Sequence, residues 1–326
     1  MVSAVVLAGG FGTRLRPLTL STPKPLVRIA GIPMIDRVLA SLPSFVDEAF
    51  IAAGYRAQDI RSHFNGKGIN GLAVNVIAEE KPLGTAGALW SLRNRLEGDF
   101  IVLNGDVINS LPVNEMFTFH RKCGGIATIS LWEVDNPENF GIVRLGQDMQ
   151  ITEFKEKPKR EDAFSRLINA GTYVMNDRVF DYMDSHSSSM EKEVFPSISG
   201  RGLYGFRFSG YWVDCGSLDS YLTAQEILVS GEAGVVRNGA RVEGCVISRP
   251  VGIERGAVVR GSRIGPNTYI EEKCAVSEGC VVKRSTLMRG AVIGKGCEIT
   301  NSIIGPGTEV TDGTSSDNQI LVNQSQ

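Results

Sequence analysis

The chain reads LAGGFGTRLRPLT at residues 7–19, directly after the apolar run Ala4-Val5-Val6. The apolar run predicts a buried parallel strand, and the glycines that follow it predict a tight turn at the carboxyl end of that strand. Arg14, Arg16 and Lys24 come with or just after this turn. Small residues let backbone N–H groups approach an anion, and fixed cations neutralise its charge. The stretch is therefore predicted to bind a polyphosphate.

Two better-known glycine-rich loops do not fit this stretch. The Walker pattern ends in Gly-Lys followed by Ser or Thr, and the dinucleotide fingerprint needs a third glycine at the position where Leu15 stands. An ordinary tight turn would account for the glycines, but it would not account for the basic residues or for Pro23-Lys24-Pro25. We therefore interpret the stretch as a phosphate-binding turn of a different kind.

Length and charge narrow the classes of protein that fit. The chain has 326 residues, which suggests two domains, and its formal net charge of −2 predicts no nucleic-acid or anionic-membrane partner. No apolar run approaches the roughly 18–20 residues that span a bilayer, and the N-terminus lacks the pattern of a secretion signal. We expect a cytoplasmic protein that binds no membrane.

The cysteines are predicted to be structural. There are six, at positions 123, 215, 245, 274, 280 and 297, and no two form a Cys-x-x-Cys pair. The ligand spacing of a zinc site is absent, so we interpret them as small buried hydrophobic residues.

Apolar runs alternate with helix-like segments from Val2 to about Val107. Strands are predicted at 3–7, 48–53, 72–78 and 99–103, and helices at 34–42, 57–64 and 85–96. This alternation is typical of βαβ units, so we predict an α/β fold with a Rossmann-like, mixed but mainly parallel sheet and helices on both faces. Ligands of such sheets bind at the carboxyl ends of the strands.

Polar motifs fall at those predicted strand ends. EEKPLGTAGA follows the third strand at residues 79–88, and Asn104-Gly105-Asp106 follows the fourth. Asp106 alone fits a metal ligand or a helix cap equally well. A second aspartate, Asp214, lies between an aromatic pair and a glycine turn, and Lys157 lies in FKEKP. Two aspartates, two lysines and a basic glycine loop together suit metal-assisted chemistry on phosphate.

The C-terminal part has a six-residue repeat. Aliphatic residues at 258, 264, 270, 276 and 282 are in strict register, and the series continues after single-residue slips at 287, 293, 299, 304 and 310. A six-residue period with one aliphatic corner predicts a parallel β-helix that buries stacked aliphatic ladders. We place the domain boundary near 230, with domains at 1–230 and 231–326 and a polar tail at the end.

Taken together and in order, these motifs resemble the sugar-1-phosphate nucleotidyltransferase family, and most closely its mannose-1-phosphate guanylyltransferase branch. The matching pieces are LAGGFGTRLRPLT, PKPL, EEKPLGTAGAL, NGD, FGIV, FKEKP, NAGTY and YWVDCGS. The resemblance covers about residues 1–230, and the repeats match the left-handed β-helix of many members. It implies transfer of a nucleotidyl group from a nucleoside triphosphate to a sugar 1-phosphate, with release of pyrophosphate.

The resemblance also implies roles for single residues. Arg14 would bind the β- and γ-phosphates, Lys24 would lie near the α-phosphate, and Lys157 would bind the sugar phosphate. Asp106 and Asp214 would hold Mg²⁺. Sugar contacts are expected from Gly141, Glu156, Asn169 and Gly171. Nucleotide contacts are expected from Leu7, Gly9, Gly10, Gly12, Thr13, Glu79, Glu80, Pro82, Gly84 and Thr85.

The nucleobase follows from less direct reasoning. Members that use thymidine or uridine triphosphate often carry a glutamine in the segment that here runs from residue 79 to 87, and this segment has none. Guanine presents two adjacent donors, and an ionised carboxylate such as Glu79 or Glu80 can accept both. This favours GTP, and the resemblance favours mannose 1-phosphate. UTP- or dTTP-dependent transfer to glucose 1-phosphate or a related sugar stays open.

Two further alternatives concern the class of protein. Catalytically inactive regulatory subunits share this fold, but they typically lose the loop arginine, the lysines or the metal aspartates, which are all present here. Acyl transfer by the β-helix would need a base such as histidine, and no histidine follows His186. We therefore interpret the β-helix as a structural or assembly module and expect a homo-oligomer.

Overall fold

The computed structural model describes residues 2–65, 68–69, 71–231 and 233–323, and they form two compact units. The first, called the sheet unit here, contains the residues up to 10 together with 35–212. The second, the β-helix unit, contains 11–34 together with the residues from 213 onward. The phosphate-binding stretch predicted from the sequence is therefore divided between the two units after Gly10. The division into domains at residue 230 stays a prediction.

Up to residue 214 the chain alternates strands and short helices. In chain order these are β1 (Val2–Leu7), α1 (Leu18–Ser21), β2 (Arg28–Ile29), β3 (Ile32–Pro33), α2 (Met34–Ala40), β4 (Val46–Ala53), α3 (Ala57–Phe64), β5 (Ala73–Ala78), α4 (Gly84–Ser91), β6 (Asp99–Asn104), β7 (Val107–Asn109), α5 (Val113–Cys123), β8 (Ala127–Glu133), β9 (Gly141–Leu145), β10 (Ile151–Glu156), β11 (Leu167–Asn176), α6 (Phe195–Ile198), β12 (Leu203–Arg207) and β13 (Trp212–Asp214). The four strands and three helices predicted before Val107 are confirmed. Their ends shift by at most two positions, except that α4 ends at Ser91, five positions before its predicted end, and a separate 3-10 turn follows at Arg93–Arg95.

The sheet unit is built on a nine-stranded mixed sheet. Its strand order is β10-β9-β11-β6-β1-β4-β5, and β8 joins β11 to β12. The strands β6, β1, β4 and β5 run parallel to one another, so their carboxyl ends lie at one edge. The inner strands are apolar on both faces, as is expected of parallel strands covered by helices. The predicted α/β fold class is confirmed.

In the C-terminal part of the β-helix unit, the first helix is α7 (Leu218–Ser230). Ser217 and Ser220 form a capping box at its N-terminus. Fifteen short strands then form three five-stranded parallel sheets, as a β-helix requires. They are β14 (Arg241–Glu243), β15 (Val246–Ile247), β16 (Val251–Ile253), β17 (Val258–Arg260), β18 (Arg263–Ile264), β19 (Thr268–Ile270), β20 (Ala275–Val276), β21 (Val281–Lys283), β22 (Thr286–Leu287), β23 (Val292–Ile293), β24 (Glu298–Thr300), β25 (Ile303–Ile304), β26 (Glu309–Val310), β27 (Ser315–Asp317) and β28 (Ile320–Leu321).

One position of the predicted repeat was wrong. Val259, not Val258, belongs to the buried core of the β-helix, and it pairs in register with Val276 of the next coil. Ile293 and Val310 continue this ladder at the same interval along the chain. The interval is 17 residues, one fewer than three steps of six. Each coil of the β-helix therefore contains two steps of six residues and one step of five. The predicted series first shortened between 282 and 287. In the structure the first shorter step lies one coil earlier, between Val259 and Ile264.

The cysteines are buried in most cases, as predicted. Cys215, Cys274, Cys280 and Cys297 are buried and the other two are half-buried, and all six are free thiols. Three of them lie in the β-helix core, where Cys274 and Cys280 donate to carbonyl oxygens of the next coil. Among the described residues, no helix has the length and apolar content needed to cross a membrane.

Candidate active site

The carboxyl ends of the parallel strands bring several predicted residues of the sheet unit together. Leu7 at the end of β1 pairs with Asn104 at the end of β6, and the Gly105 amide donates to the Leu7 carbonyl over 2.9 Å. On the other side of β1, the Glu79 carboxylate lies against Gly9, where a Cβ atom would stand 3.2 Å from Oε2. This edge therefore gathers parts of the glycine loop, the EEKPLG segment and the NGD motif.

Glu79 and Glu80 differ in their surroundings. Glu79 is half-buried, and burial raises the pKa of its carboxyl group while the Leu83 amide opposes that shift. Glu80 is exposed, as are Gly10 and Pro82. Of the two glutamates, Glu79 is therefore the one whose carboxylate is held in place beside the glycine loop.

The start of α4 packs on a distant loop. A Cβ atom on Gly84 would overlap the Ser188 carbonyl oxygen, so only glycine fits there. The Thr85 hydroxyl donates to Glu191 over 2.8 Å and accepts from the Met190 amide over 2.9 Å. These contacts fix the N-terminus of α4. They also mean that the Thr85 hydroxyl already donates and accepts hydrogen bonds within the protein.

The residues predicted to bind the sugar lie on neighbouring strands of the same sheet. Gly141 of β9 pairs with Glu156 of β10, and the space beside Gly141 is filled in part by that carboxylate. On β11, the Asn169 amide group donates to the Tyr173 hydroxyl and accepts from the Gly171 amide, both over 3.0 Å. All four predicted sugar residues thus lie on strands β9, β10 and β11.

The electrostatics of this region centre on Glu156. Burial, and then the Glu191 carboxylate, raise the pKa of Glu156, whereas Lys157 and Lys192 oppose the shift. The Lys157 ammonium lies 3.8 Å from the Glu156 carboxylate, and its side chain is 65% exposed. Lys157 is therefore a cation that remains accessible to an anionic ligand.

Five predicted residues lie in the β-helix unit: Gly12, Thr13, Arg14, Lys24 and Asp214. Gly12 has a positive φ of 62°, and a Cβ atom there would come 3.0 Å from both Lys24 and Thr19. Thr13 and Arg14 are exposed and begin a 3-10 turn. A Cβ atom on Gly216 would meet both the Arg14 guanidinium and the Asp214 carboxylate. Arg14 and Asp214 are therefore neighbours across Gly216.

Each of the two aspartates predicted to hold Mg²⁺ offers a suitable donor. Asp106 and Asp214 are half-buried carboxylates, and Mg²⁺ prefers hard oxygen ligands of this kind. Within the described residues, no group of three or more His, Cys, Asp or Glu side chains is arranged to hold a metal. Mg²⁺ is commonly bound through one or two carboxylates, with waters and substrate phosphates completing its shell.

Three residues near the predicted ones were missed by sequence reasoning. Asn104 is packed against Gly171, and its buried Oδ1 atom has no hydrogen-bond partner among the described residues. The Trp212 indole donates to the Ala170 carbonyl over 2.8 Å and packs edge-on against Phe140. Glu191 acts on Glu156, as described above. Asn104 and Trp212 carried a sequence signal, because they lie in the NGD and YWVDCGS motifs, whereas Glu191 carried none.

Comparison with known proteins finds similarity along most of the chain. Residues 3–231 match the family model for the nucleotidyl transferase domain, and residues 247–324 match that for the GMPPB C-terminal domain. Mannose-1-phosphate guanylyltransferase 1 of Arabidopsis thaliana is 36% identical over 92% of this chain and 85% of its own length. Mannose-1-phosphate guanylyltransferase of Mycobacterium tuberculosis is 34% identical over 87% of this chain and 83% of its own.

Two further similarities are to proteins with other names. The bifunctional protein GlmU of Methanococcus maripaludis is 35% identical over 79% of this chain and 62% of its own length. A crystal structure of a candidate glucose-1-phosphate thymidylyltransferase from Bacillus anthracis has a TM-score of 0.62 and 26% identity, covering 69% of this chain and 94% of that one. The chain therefore belongs to the nucleotidyl transferase family and is a sugar-1-phosphate nucleotidyltransferase with a GMPPB-type C-terminal domain.

Proposed function

We propose that the protein transfers a guanylyl group from GTP to mannose 1-phosphate, forming GDP-mannose and pyrophosphate. The observation that carries this proposal is the similarity to mannose-1-phosphate guanylyltransferases along most of the chain. The site supports it, because Glu79 holds a carboxylate beside Gly9. A carboxylate can accept from both N1–H and the exocyclic amine of guanine.

The chemistry needs no nucleophile from the protein. A phosphate oxygen of the sugar 1-phosphate attacks the α-phosphorus of the triphosphate, and the bond from that phosphorus to the bridging oxygen breaks as pyrophosphate leaves. No proton has to move in this exchange. The protein therefore acts by alignment and by neutralising charge. We assign Arg14 to the departing phosphates, Lys24 to the α-phosphate and Lys157 to the sugar phosphate.

We assign Asp106 and Asp214 as the magnesium ligands. When bound, Mg²⁺ neutralises phosphate charge and stabilises the leaving group. Chelation with EDTA should abolish turnover, and added MgCl2 should restore it. The Asp106→Asn variant should need a higher magnesium concentration for half-maximal rate than the wild-type protein. If Asp106→Asn and wild type needed the same magnesium concentration, Asp106 would not be a magnesium ligand.

The proposal is tested by a substrate matrix of common nucleoside triphosphates against sugar 1-phosphates, with released pyrophosphate as the readout. GTP with mannose 1-phosphate should give the highest kcat/KM. A clear preference for UTP or dTTP would reject guanylyl transfer, and no turnover with any pair would indicate an inactive regulatory subunit.

A matched pair of variants tests the base contact. Glu79→Gln keeps the shape but replaces one acceptor by a donor, so kcat/KM for GTP should fall by about tenfold or more, the loss expected for a hydrogen bond to a charged group. Glu80→Gln is the control, since this neighbour is exposed. Equal effects of the two variants would contradict the assignment of Glu79.

A further inference from the structure

A β-hairpin anchors the N-terminal segment of the β-helix unit. Strands β2 and β3 are joined by Ala30 and Gly31, which have φ values of 45° and 78°, as a tight two-residue hairpin turn requires. The turn lies on Tyr269 of strand β19. Ala30 packs with Tyr269 and Val229, and a Cβ atom on Gly31 would stand 2.6 Å from the Tyr269 hydroxyl oxygen.

A partly buried ion pair fixes the base of the hairpin. The Arg28 guanidinium donates to Glu271 Oε1 over 3.2 Å, and Glu271 is only 1% exposed. The second carboxylate oxygen of Glu271 accepts from the Arg289 amide over 2.9 Å, which ties it to the next coil. The Tyr221 hydroxyl donates to the Arg28 carbonyl over 2.5 Å. Arg28 is thus held by the β-helix and by α7.

The hairpin continues directly into the residues assigned to phosphate. Lys24 begins a 3-10 turn that ends at Leu26, and the Val27 amide donates to the Lys24 carbonyl over 3.0 Å. Lys24 also packs against Gly12, and the Thr19 hydroxyl donates to the Gly12 carbonyl over 2.8 Å. A short, cross-linked path therefore joins the Arg28 anchor to both Lys24 and the glycine loop.

We propose that Glu271 is a positioning residue for nucleotide binding, which acts through Arg28 to hold Lys24 and the Gly12 loop in place. The β-helix is then part of the machinery that aligns the triphosphate, in addition to any role in assembly. This inference rests on the proposed function of Lys24. A displacement of about 1 Å in an aligning group can cost on the order of 100-fold in rate, so a fixed anchor has a direct effect on catalysis.

The test uses three anchor variants: Glu271→Gln, Arg28→Gln and the double variant that combines them. Each is compared with the control variant Glu272→Gln. Glu272 is the matched control, because it is the next residue and also pairs with an arginine, Arg289, but on the exposed surface. All variants are assayed well below the lowest melting temperature of the set. Each single anchor variant should lower kcat/KM for GTP by about 10- to 100-fold. The double variant should be no worse than Arg28→Gln, because that single variant already removes the ion pair together with the Arg28 hydrogen bond to the Gly31 carbonyl.

Hydrogen exchange provides a readout that a general loss of stability would not reproduce. In Glu271→Gln, amides of the peptide covering residues 11–34 should exchange faster than in wild type, while peptides of the sheet unit should be unchanged. Glu272→Gln should leave both exchange and kcat/KM within about twofold of wild type, as expected for an exposed pair. Arg28→Gln removes a side chain that is 32% exposed, and it keeps the test valid if Glu271→Gln fails to fold.

The outcomes separate this inference from the proposed function. If the wild-type protein turns over GTP but the anchor variants match Glu272→Gln, the positioning role is wrong and the proposed function stands. If the wild-type protein shows no guanylyl transfer, the proposed function fails, and the hydrogen-exchange result alone decides whether Glu271 holds the segment. Additive losses in the double variant would also overturn the positioning role.

Discussion

Lys157 has an unusual backbone for a lysine. Its φ is 43°, in the left-handed region, and its amide donates to the Phe140 carbonyl over 3.0 Å where β10 ends. A non-glycine residue in this region typically costs about 1 kcal/mol or more. Lys157 directly follows Glu156, the residue that pairs with Gly141 at the end of β10. Its backbone is therefore strained at this point, while its ammonium group stays exposed.

We predict that Lys157→Ala lowers kcat/KM by an amount equal to about 2–4 kcal/mol of transition-state stabilisation, the cost of deleting one preorganised charge donor. The melting temperature should change little, because the side chain is largely exposed. Steady-state kinetics with varied sugar 1-phosphate checks this. Lys159→Ala, at an exposed lysine two positions on, should behave as wild type. Near-normal turnover of Lys157→Ala would remove this lysine from the site.

Asn104 gives a second prediction at the scale of single residues. Its buried Oδ1 atom lacks a partner among the described residues, which normally costs about 1–3 kcal/mol, and a substrate hydroxyl would supply the missing donor. Asn104→Ala should therefore lower kcat/KM for the sugar phosphate by about tenfold with little loss of stability. A fall in melting temperature without any kinetic change would show a purely structural role.

Local motifs and distant partners differed in how well the sequence predicted them. The positions of Gly9, Glu79 and Gly141 near strand ends could be predicted because short polar or glycine-containing segments adjoin predicted strands, whereas their roles in binding substrates stay predictions. Glu191 and Glu271 could not, since each acts on a residue far away along the chain, and no local pattern records which coil or loop will cover a given strand end. Arg28 and Glu271, for example, are 243 positions apart.

At the scale of elements, helix α5 carries a buried histidine whose charge state affects stability. His120 shares a hydrogen bond of 2.9 Å with Thr128 of β8, and its other ring nitrogen lies 3.6 Å from Asp99. Burial lowers the pKa of His120; Asp99 opposes this, and Arg178 and Arg121 reinforce it. The unfolded chain therefore binds a proton at this site more readily than the folded protein does.

We predict a specific pH dependence from this histidine. Its contribution to stability is fully present above about pH 6.5 and is lost as the pH falls towards the lower pKa of the folded state. The difference in unfolding free energy between wild type and His120→Gln should shrink there by up to about 1.4 kcal/mol per pH unit. Urea unfolding between pH 5 and 8 measures it. A pH-independent difference for His120→Gln would contradict the prediction.

Regular elements were the most predictable part of the fold. Helix α3 was predicted with both ends correct, because its apolar residues recur at helical spacing. In the β-helix the six-residue period was clear, but Val258 and Val259 are adjacent and identical. Sequence alone could not decide which valine faces inward. Pairing with Val276 in the next coil decides it.

At the scale of the whole molecule, residues assigned to the substrates occur in both compact units. The sheet unit contributes Glu79, Glu156 and Lys157, and the β-helix unit contributes Arg14 and Lys24. This distribution could not be predicted from a boundary at residue 230, since that boundary assigns residues 11–34 by chain order. Residues of this segment contact Tyr269 and Glu271, and the segment belongs to the β-helix unit.

We further expect the protein to form a homo-oligomer, because the stacked coils of a β-helix present flat faces that another subunit can cover. Size-exclusion chromatography with light scattering should give a molar mass greater than that of one chain. A mass equal to one chain at working concentrations would contradict this expectation.

The regular stacking of the coils has a consequence for how such proteins can change over evolution. The hairpin contacts Tyr269 and Glu271 in one coil and, through the Arg289 amide, the start of the next. Gain or loss of a whole coil after residue 304 leaves those positions untouched. Insertion of a single residue between 254 and 289 would turn side chains of the following strands to the opposite face. Homologues should therefore differ in coil number at the C-terminal end, while the coils beneath the hairpin keep a constant length.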